Sequence, residues 1–111
     1  MRDIKLYLLD ILESINRIQS YTDGVTEVEF EKNTEKVDAV VRNFEIMGEA
    51  VKAIPSEITS QYPQIQWQDI VGMRNVLVHD YFGVDVHIVW RTAQERLPSL
   101  QSAINSILQS M

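Results

Sequence analysis

Cysteine is absent from the 111-residue chain. That single absence excludes disulfide scaffolds, Cys-ligated zinc, iron–sulfur clusters and thiol catalysis, and it fits a reducing compartment. Glycine and proline are sparse, four and three respectively, and no low-complexity stretch, Gly/Ser linker or internal repeat interrupts the chain. No apolar run approaches the ~20 residues that a membrane-spanning helix needs. The first apolar stretch is broken by Arg2, Asp3, Lys5 and Asp10, where a secretory signal would carry an uninterrupted apolar core. The expectation is a cytoplasmic protein with no membrane association.

Positive charge is also scarce. Ten Lys and Arg face sixteen Asp and Glu, for a net charge of −6. The imbalance is uneven: residues 1–69 hold seven bases and thirteen acids, whereas residues 70–111 hold three of each. Non-specific nucleic-acid binding is driven by neutralisation of phosphates. A polyanionic substrate must therefore be held by a small local site, and the neutral C-terminal part is the place for it.

What the chain does have is apolar periodicity. Hydrophobic residues make up 45% and charged residues 23%, a composition that excludes intrinsic disorder. The length suits one domain, residues 1–111, able to bury roughly two-thirds of its unfolded surface without staples. Ile4, Leu8, Ile11, Ile15 and Ile18 lie on one helical face, with Asp3 to cap the start and Thr22-Asp23-Gly24 to end it. Thr26 followed by Glu29 has the form of a capping box. Val37, Val40, Phe44, Met47, Val51 and Ile54 predict a second long helix from about Asn33 to Ala53, stopped by Pro55. Residues 55–66 read as a connection with room for one helical turn. A third helix is predicted over Trp67 to His79, with Ile70, Met73, Leu77 and Val78 available to a core, and Gly83 breaks it. A fourth starts near Val84. Pro98 either kinks it or opens a new helix as a first-turn residue, and Leu97, Leu100, Ile104, Ile107 and Leu108 continue the stripe. Trp67 and Trp90 are core residues by default.

The predicted fold class is all-α, an antiparallel bundle of four to five helices. The wide apolar arc of the last helix predicts a homodimer.

Chemistry is concentrated in Arg74-Asn75-Val76-Leu77-Val78-His79-Asp80-Tyr81. Asn75 and His79 are four apart and share one helix face. Arg74 is five from His79, about 140° around the helix at 100° per residue. Two copies of this helix across a dimer axis could bring the two side chains together. Histidine titrates near neutrality and suits proton transfer. Arginine forks onto phosphate oxygens and stabilises developing charge. Tyr81 lies past the predicted helix end, where a hydroxyl is accessible.

The stretch GMRNVLVHDYFGVD, Gly72 to Asp85, resembles the Arg-x4-His-x-Tyr signature of HepT-like proteins. These are HEPN-domain toxins paired with MntA-type minimal nucleotidyltransferase antitoxins. The resemblance extends to RNFEIMGEA (Arg42 to Ala50), IQWQDIVGMRN (Ile65 to Asn75) and VWRTAQERLP (Val89 to Pro98). It implies a dimeric four-helix HEPN fold and a metal-independent endoribonuclease site at the dimer interface. Arg74 and His79 would then be the catalytic pair, supported by Asn75. Tyr81 would accept AMP from the partner nucleotidyltransferase. RNA would be the substrate, cleaved to a 2′,3′-cyclic phosphate and a 5′-OH.

Each residue also has a plainer reading. His79 can cap helix carbonyls or sit at the negative end of the helix dipole. Arg74 can pair with Asp69 or Asp80 on the surface, Asn75 can serve a structural hydrogen bond, and Tyr81 can be a packed aromatic. His79, Asp80, Asp85 and His87 have no recognised ligand spacing, so no metal and no cofactor is expected. Glu45 and Glu49, at i,i+4, read as a solvated helix face or part of a partner interface. Glu27, Glu29, Glu31 and Glu35 read as a solvated edge. The rival function is a non-catalytic helical scaffold of a nucleotidyltransferase complex, in which the motif only presents Tyr81 and a phosphate contact.

Overall fold

Ile4–Thr22 form α1, and its stripe of Leu8, Ile11, Ile15 and Ile18 is buried. Asp3 caps the helix by accepting from the Lys5 amide at 2.9 Å, which satisfies one of the donors a helix start leaves free. The chain then turns at Gly24, whose φ of 69° suits a residue without a Cβ. The computed structural model describes residues 2–79 and 83–111, and every regular element among the described residues is helical.

The next helix, α2 (Glu27–Lys32), is short and opens on the expected capping box. The Glu29 amide donates to Thr26 Oγ1 at 3.2 Å, and the Thr26 amide donates back to Glu29 Oε1 at 3.1 Å. That backbone bond is the main cause holding the Glu29 carboxyl below the usual carboxylate range. Within this acid-rich segment Phe30 is fully buried. It packs on Trp90 with ring centroids 5.2 Å apart and planes tilted by 42°. A six-residue helix is too short to persist alone. This aromatic contact and the contacts of α2 with its neighbours hold it in place.

Helix α3 (Thr34–Ala53) is the centre of the bundle, touching α1, α2, α5 and α6. Lys36 Nζ donates to the Tyr21 carbonyl at 3.0 Å. The first turn of α3 therefore meets the last turn of α1, and the two long helices run antiparallel. Val40, Phe44, Met47 and Val51 are buried as the pattern predicts. After Pro55, Ser56–Thr59 make the single turn α4, and Trp67–His79 form α5. Val86–Glu95 form α6, capped by Asp85, which accepts from the His87 amide at 2.9 Å. Leu97–Ser110 form α7 with Pro98 in its first turn, where a missing amide hydrogen costs nothing. Pro98 thus opens a helix instead of kinking one. Trp67 and Trp90 both lie half-buried against the core.

Two expectations about apolar surface need correcting. The stripe of the last helix is not left open: Leu97, Ile104 and Ile107 are buried within the chain, with α7 packed on α1 and α6. Gln101 ties it there, donating to Asn16 Oδ1 at 2.8 Å and accepting from Gln19 at 3.3 Å. Val78, assigned to the core by periodicity, is 40% exposed, beside Val76 at 55%. Each lies one residue, or 100°, from the buried Leu77 and so falls off the inward face. With Ile88 of α6, also 55% exposed, they put apolar surface on α5 and α6 that a second copy could cover.

Helices α3 and α5 approach closely at Gly48. A Cβ placed there would lie 2.2 Å from Arg74 Cβ, 2.7 Å from Arg74 Cγ and 3.3 Å from the Ile70 carbonyl oxygen. The obstructing atoms belong to the root of a side chain and to backbone, so neither helix can yield without sliding. Gly72, on α5, meets nothing within 4 Å. Gly48→Ala is therefore expected to destabilise the protein by about 1–3 kcal/mol, the usual cost of overpacking. Gly72→Ala is expected to stabilise it by up to about 1 kcal/mol through helix propensity alone. Urea unfolding midpoints of the two variants, moving in opposite directions, are the check.

Candidate functional site

The polar motif rides on α5, and the start of that helix is firmly fastened. Ile65 is buried just before it. Trp67 Nε1 donates to the Tyr62 carbonyl at 3.1 Å, and Arg96 Nη1 donates to Gln66 Oε1 at 2.8 Å. Asp69 in the first turn places its charge where the helix dipole favours it. Leu77 is the fully buried anchor of α5, while Ile70, Val71 and Met73 pack partly against the core.

Arg74 emerges over Gly48 and turns along α3. Its side chain is only 17% exposed, and Nη2 pairs with Glu49 Oε1. Nη1 donates to Asn75 Oδ1 at 2.9 Å. Nε is shielded and makes no hydrogen bond. Among the described residues the acid that pairs with Arg74 is Glu49, one turn after Glu45 on α3, and not Asp69. Glu49 is 53% exposed, so a largely buried cation is paired with a carboxylate that solvent reaches.

His79 is the last residue of α5 and is exposed. Among the described residues it makes no side-chain hydrogen bond or ion pair. The structure therefore brings Arg74 and Asn75 into direct contact and leaves His79 on the surface at the helix end. Asp80 and Tyr81 lie outside the described residues, and so does the placement expected for the Tyr81 hydroxyl.

The other singled-out groups have local duties. His87 Nδ1 pairs with Glu27 Oε1, joining the first turn of α6 to the first turn of α2. Asp85 is occupied as a helix cap. Among the described residues, no three His, Asp or Glu side chains converge as metal ligands would. A groove of about 550 Å³ runs between α3, α5 and α7, floored by Phe44, Met47, Ile70 and Leu100 and edged by Asp69 and Arg96; neither Arg74 nor His79 lines it. Among the described residues no helix is long and apolar enough to cross a membrane.

Sequence reasoning missed two members of this arrangement. Gly48 and Glu49 stand in the segment Arg42 to Ala50, but nothing in their local pattern says that they lie under Arg74. The signal that could have found them is the small residue followed by an acid on the face of α3 that the pattern turns inward.

Comparison with known proteins gives the family. The family described as "Ribonuclease HepT-like" matches residues 11–107. A protein of Methanocaldococcus jannaschii, provisionally named an RNase, is 42% identical over 110 residues, covering 99% of this chain and 91% of its own. A second from the same organism, named likewise, is 40% identical over 99% of this chain and 95% of its own. A protein of Thermococcus cleftensis, provisionally named ribonuclease HepT, is 39% identical over 96% of each chain. No solved structure matches the chain. With a profile match across most of its length and relatives near 40% identity spanning nearly all of it, the chain belongs to the HepT-like ribonuclease family.

Proposed function

We propose that this protein is a metal-independent endoribonuclease toxin that works as a homodimer and is silenced by adenylylation of Tyr81. The observation that carries the reading is the Arg74-x4-His79-x-Tyr81 signature of a HepT-like family member, with Arg74 and His79 on α5 and Arg74 presented as a stem-buried cation. The ribonuclease names of its relatives support the substrate class.

RNA carries its own nucleophile. The 2′-OH loses its proton and attacks the adjacent phosphorus, the P–O5′ bond breaks, and the products are a 2′,3′-cyclic phosphate and a 5′-OH. His79 serves as proton acceptor or donor, and Arg74 stabilises the extra negative charge on the phosphorane. On one helix these groups are about 140° apart, so a site built from both uses two copies of α5. The exposed Val76, Val78 and Ile88 offer the apolar surface for that pairing. Asn75, bonded to Arg74, supports the guanidinium.

Control would come from a MntA-type nucleotidyltransferase antitoxin. The Tyr81 hydroxyl attacks the α-phosphate of ATP, pyrophosphate leaves, the phenolic proton is lost to solvent, and an AMP ester remains. Its phosphate can pair with Arg74 and occupy the position of the RNA phosphate, so inhibition is steric and electrostatic together.

His79→Ala and Arg74→Ala are each expected to lower RNA cleavage by about 10²–10⁴-fold and to abolish growth arrest, with the helical circular-dichroism spectrum unchanged. Cleavage by the native protein should persist in excess EDTA and yield cyclic-phosphate ends. A well-folded His79→Ala variant that still cleaves would overturn the assignment, and activity lost to EDTA and restored by Mg²⁺ would overturn the metal independence.

Incubation with the partner nucleotidyltransferase and ATP should place AMP on the peptide containing Tyr81, seen by mass spectrometry, and Tyr81→Phe should escape neutralisation. AMP transfer to Tyr81 in a chain that never cleaves RNA would instead favour the scaffold reading.

A further inference from the structure

We propose that Glu49 is a positioning residue for the reaction: its carboxylate aims the Arg74 guanidinium, and cleavage depends on that aim. The inference rests on the proposed role of Arg74 in RNA cleavage.

The surroundings of Arg74 fix its side chain from root to tip. Gly48 supplies the floor, with no room for a Cβ beneath Arg74 Cβ and Cγ. The stem is held against α3, and Nε is shielded without a partner. Only the two terminal nitrogens remain to set the plane of the guanidinium. Glu49 Oε1 takes Nη2 from the α3 side, and Asn75 Oδ1 takes Nη1 from the neighbouring position on α5, at 2.9 Å. Each terminal nitrogen carries two N–H groups. Among the described residues Glu49 and Asn75 are the acceptors these nitrogens meet, one on each, so each nitrogen keeps a second N–H for a phosphate.

The choice of an acid fits this task. A carboxylate accepts from a guanidinium more strongly than a neutral group does. Glu49 comes from a different helix than Arg74, so it fixes the guanidinium against the α3 frame and not merely against its own turn. Its half-exposed position limits what the pair adds to stability, because an ion pair in contact with water contributes little. A rotated guanidinium would still attract RNA by its charge. It would meet the phosphorane at the wrong angle, and misplacement on the scale of 1 Å is enough to cost about 10²-fold in rate.

The test is steady-state cleavage of a defined RNA by the purified full chain, comparing Glu49→Ala, Glu49→Gln and Glu49→Asp with the native protein. Glu49→Ala is expected to lower kcat by about 10–10²-fold with KM changed less than about 3-fold, the mark of an interaction made in the transition state. Glu49→Asp keeps the charge and should recover part of the loss; Glu49→Gln should fall between the two. The double variant Glu49→Ala/Arg74→Ala should be no slower than Arg74→Ala. Thermal unfolding of all variants should agree within a few degrees, which separates aiming from folding.

Unchanged kcat in Glu49→Ala would overturn the proposal. So would tighter RNA binding with faster cleavage, which would make Glu49 a competitor of the phosphate. Arg74→Ala run beside them separates the two levels: an inactive Arg74→Ala with a fully active Glu49→Ala removes only the role of Glu49. A fully active Arg74→Ala removes the role of the arginine itself.

Discussion

The contact on which this molecule depends is the close approach of α3 and α5 at Gly48. Two helices that bury ordinary side chains between them lie 8–10 Å apart; a residue without a Cβ lets them come nearer. Here the nearness is spent on one side chain. Arg74 could not lie over α3 if position 48 carried a Cβ, and without that course its guanidinium would not meet Glu49. The packing of the bundle and the placement of its motif cation are therefore one constraint.

The rest of the fold supports that junction from either side. Helix α1 packs along α3, while the start of α5 is pinned by the Trp67 and Arg96 hydrogen bonds. Fastening is concentrated where α5 begins, and the polar motif lies in the second half of the helix. Arg74 is held by its own contact with α3 at Gly48, facing its own chain, and His79 ends the helix on the surface, where a group from another molecule can reach it.

Much of the bundle is legible in the sequence because its signals are local. The stripe from Leu8 to Ile18, the Asp3 cap and the Thr26–Glu29 box depend on neighbours within four residues, and all appear as read; Pro98, read as either a kink or a helix start, is the start. What escapes is tertiary. Phe30 sits in a run of glutamates that reads as solvated, yet it is buried because Trp90, sixty residues away, packs on it. The apolar arc of α7 reads as a surface for a second copy, whereas α1 and α6 cover it within the chain. The candidate site divides in the same way. Arg74, Asn75 and His79 stand out as a cluster of types at a spacing, whereas Glu49 is twenty-five residues from its arginine and becomes its partner only through helix packing.

The docking of α2 has a consequence for how other molecules meet this one. Phe30 turns inward, so Glu29, Glu31 and Glu35 face water, while Glu27 is shared with His87. Most of the net negative charge belongs to the segments before α5. Like charge therefore makes the α2 side the least favourable approach for a diffusing polyanion. Repulsion from one flank restricts the orientations of encounter much as attraction to the other would. An acidic protein can in this way guide a strand of nucleic acid without a basic groove to hold it, and the guidance fades as salt shortens the reach of its field.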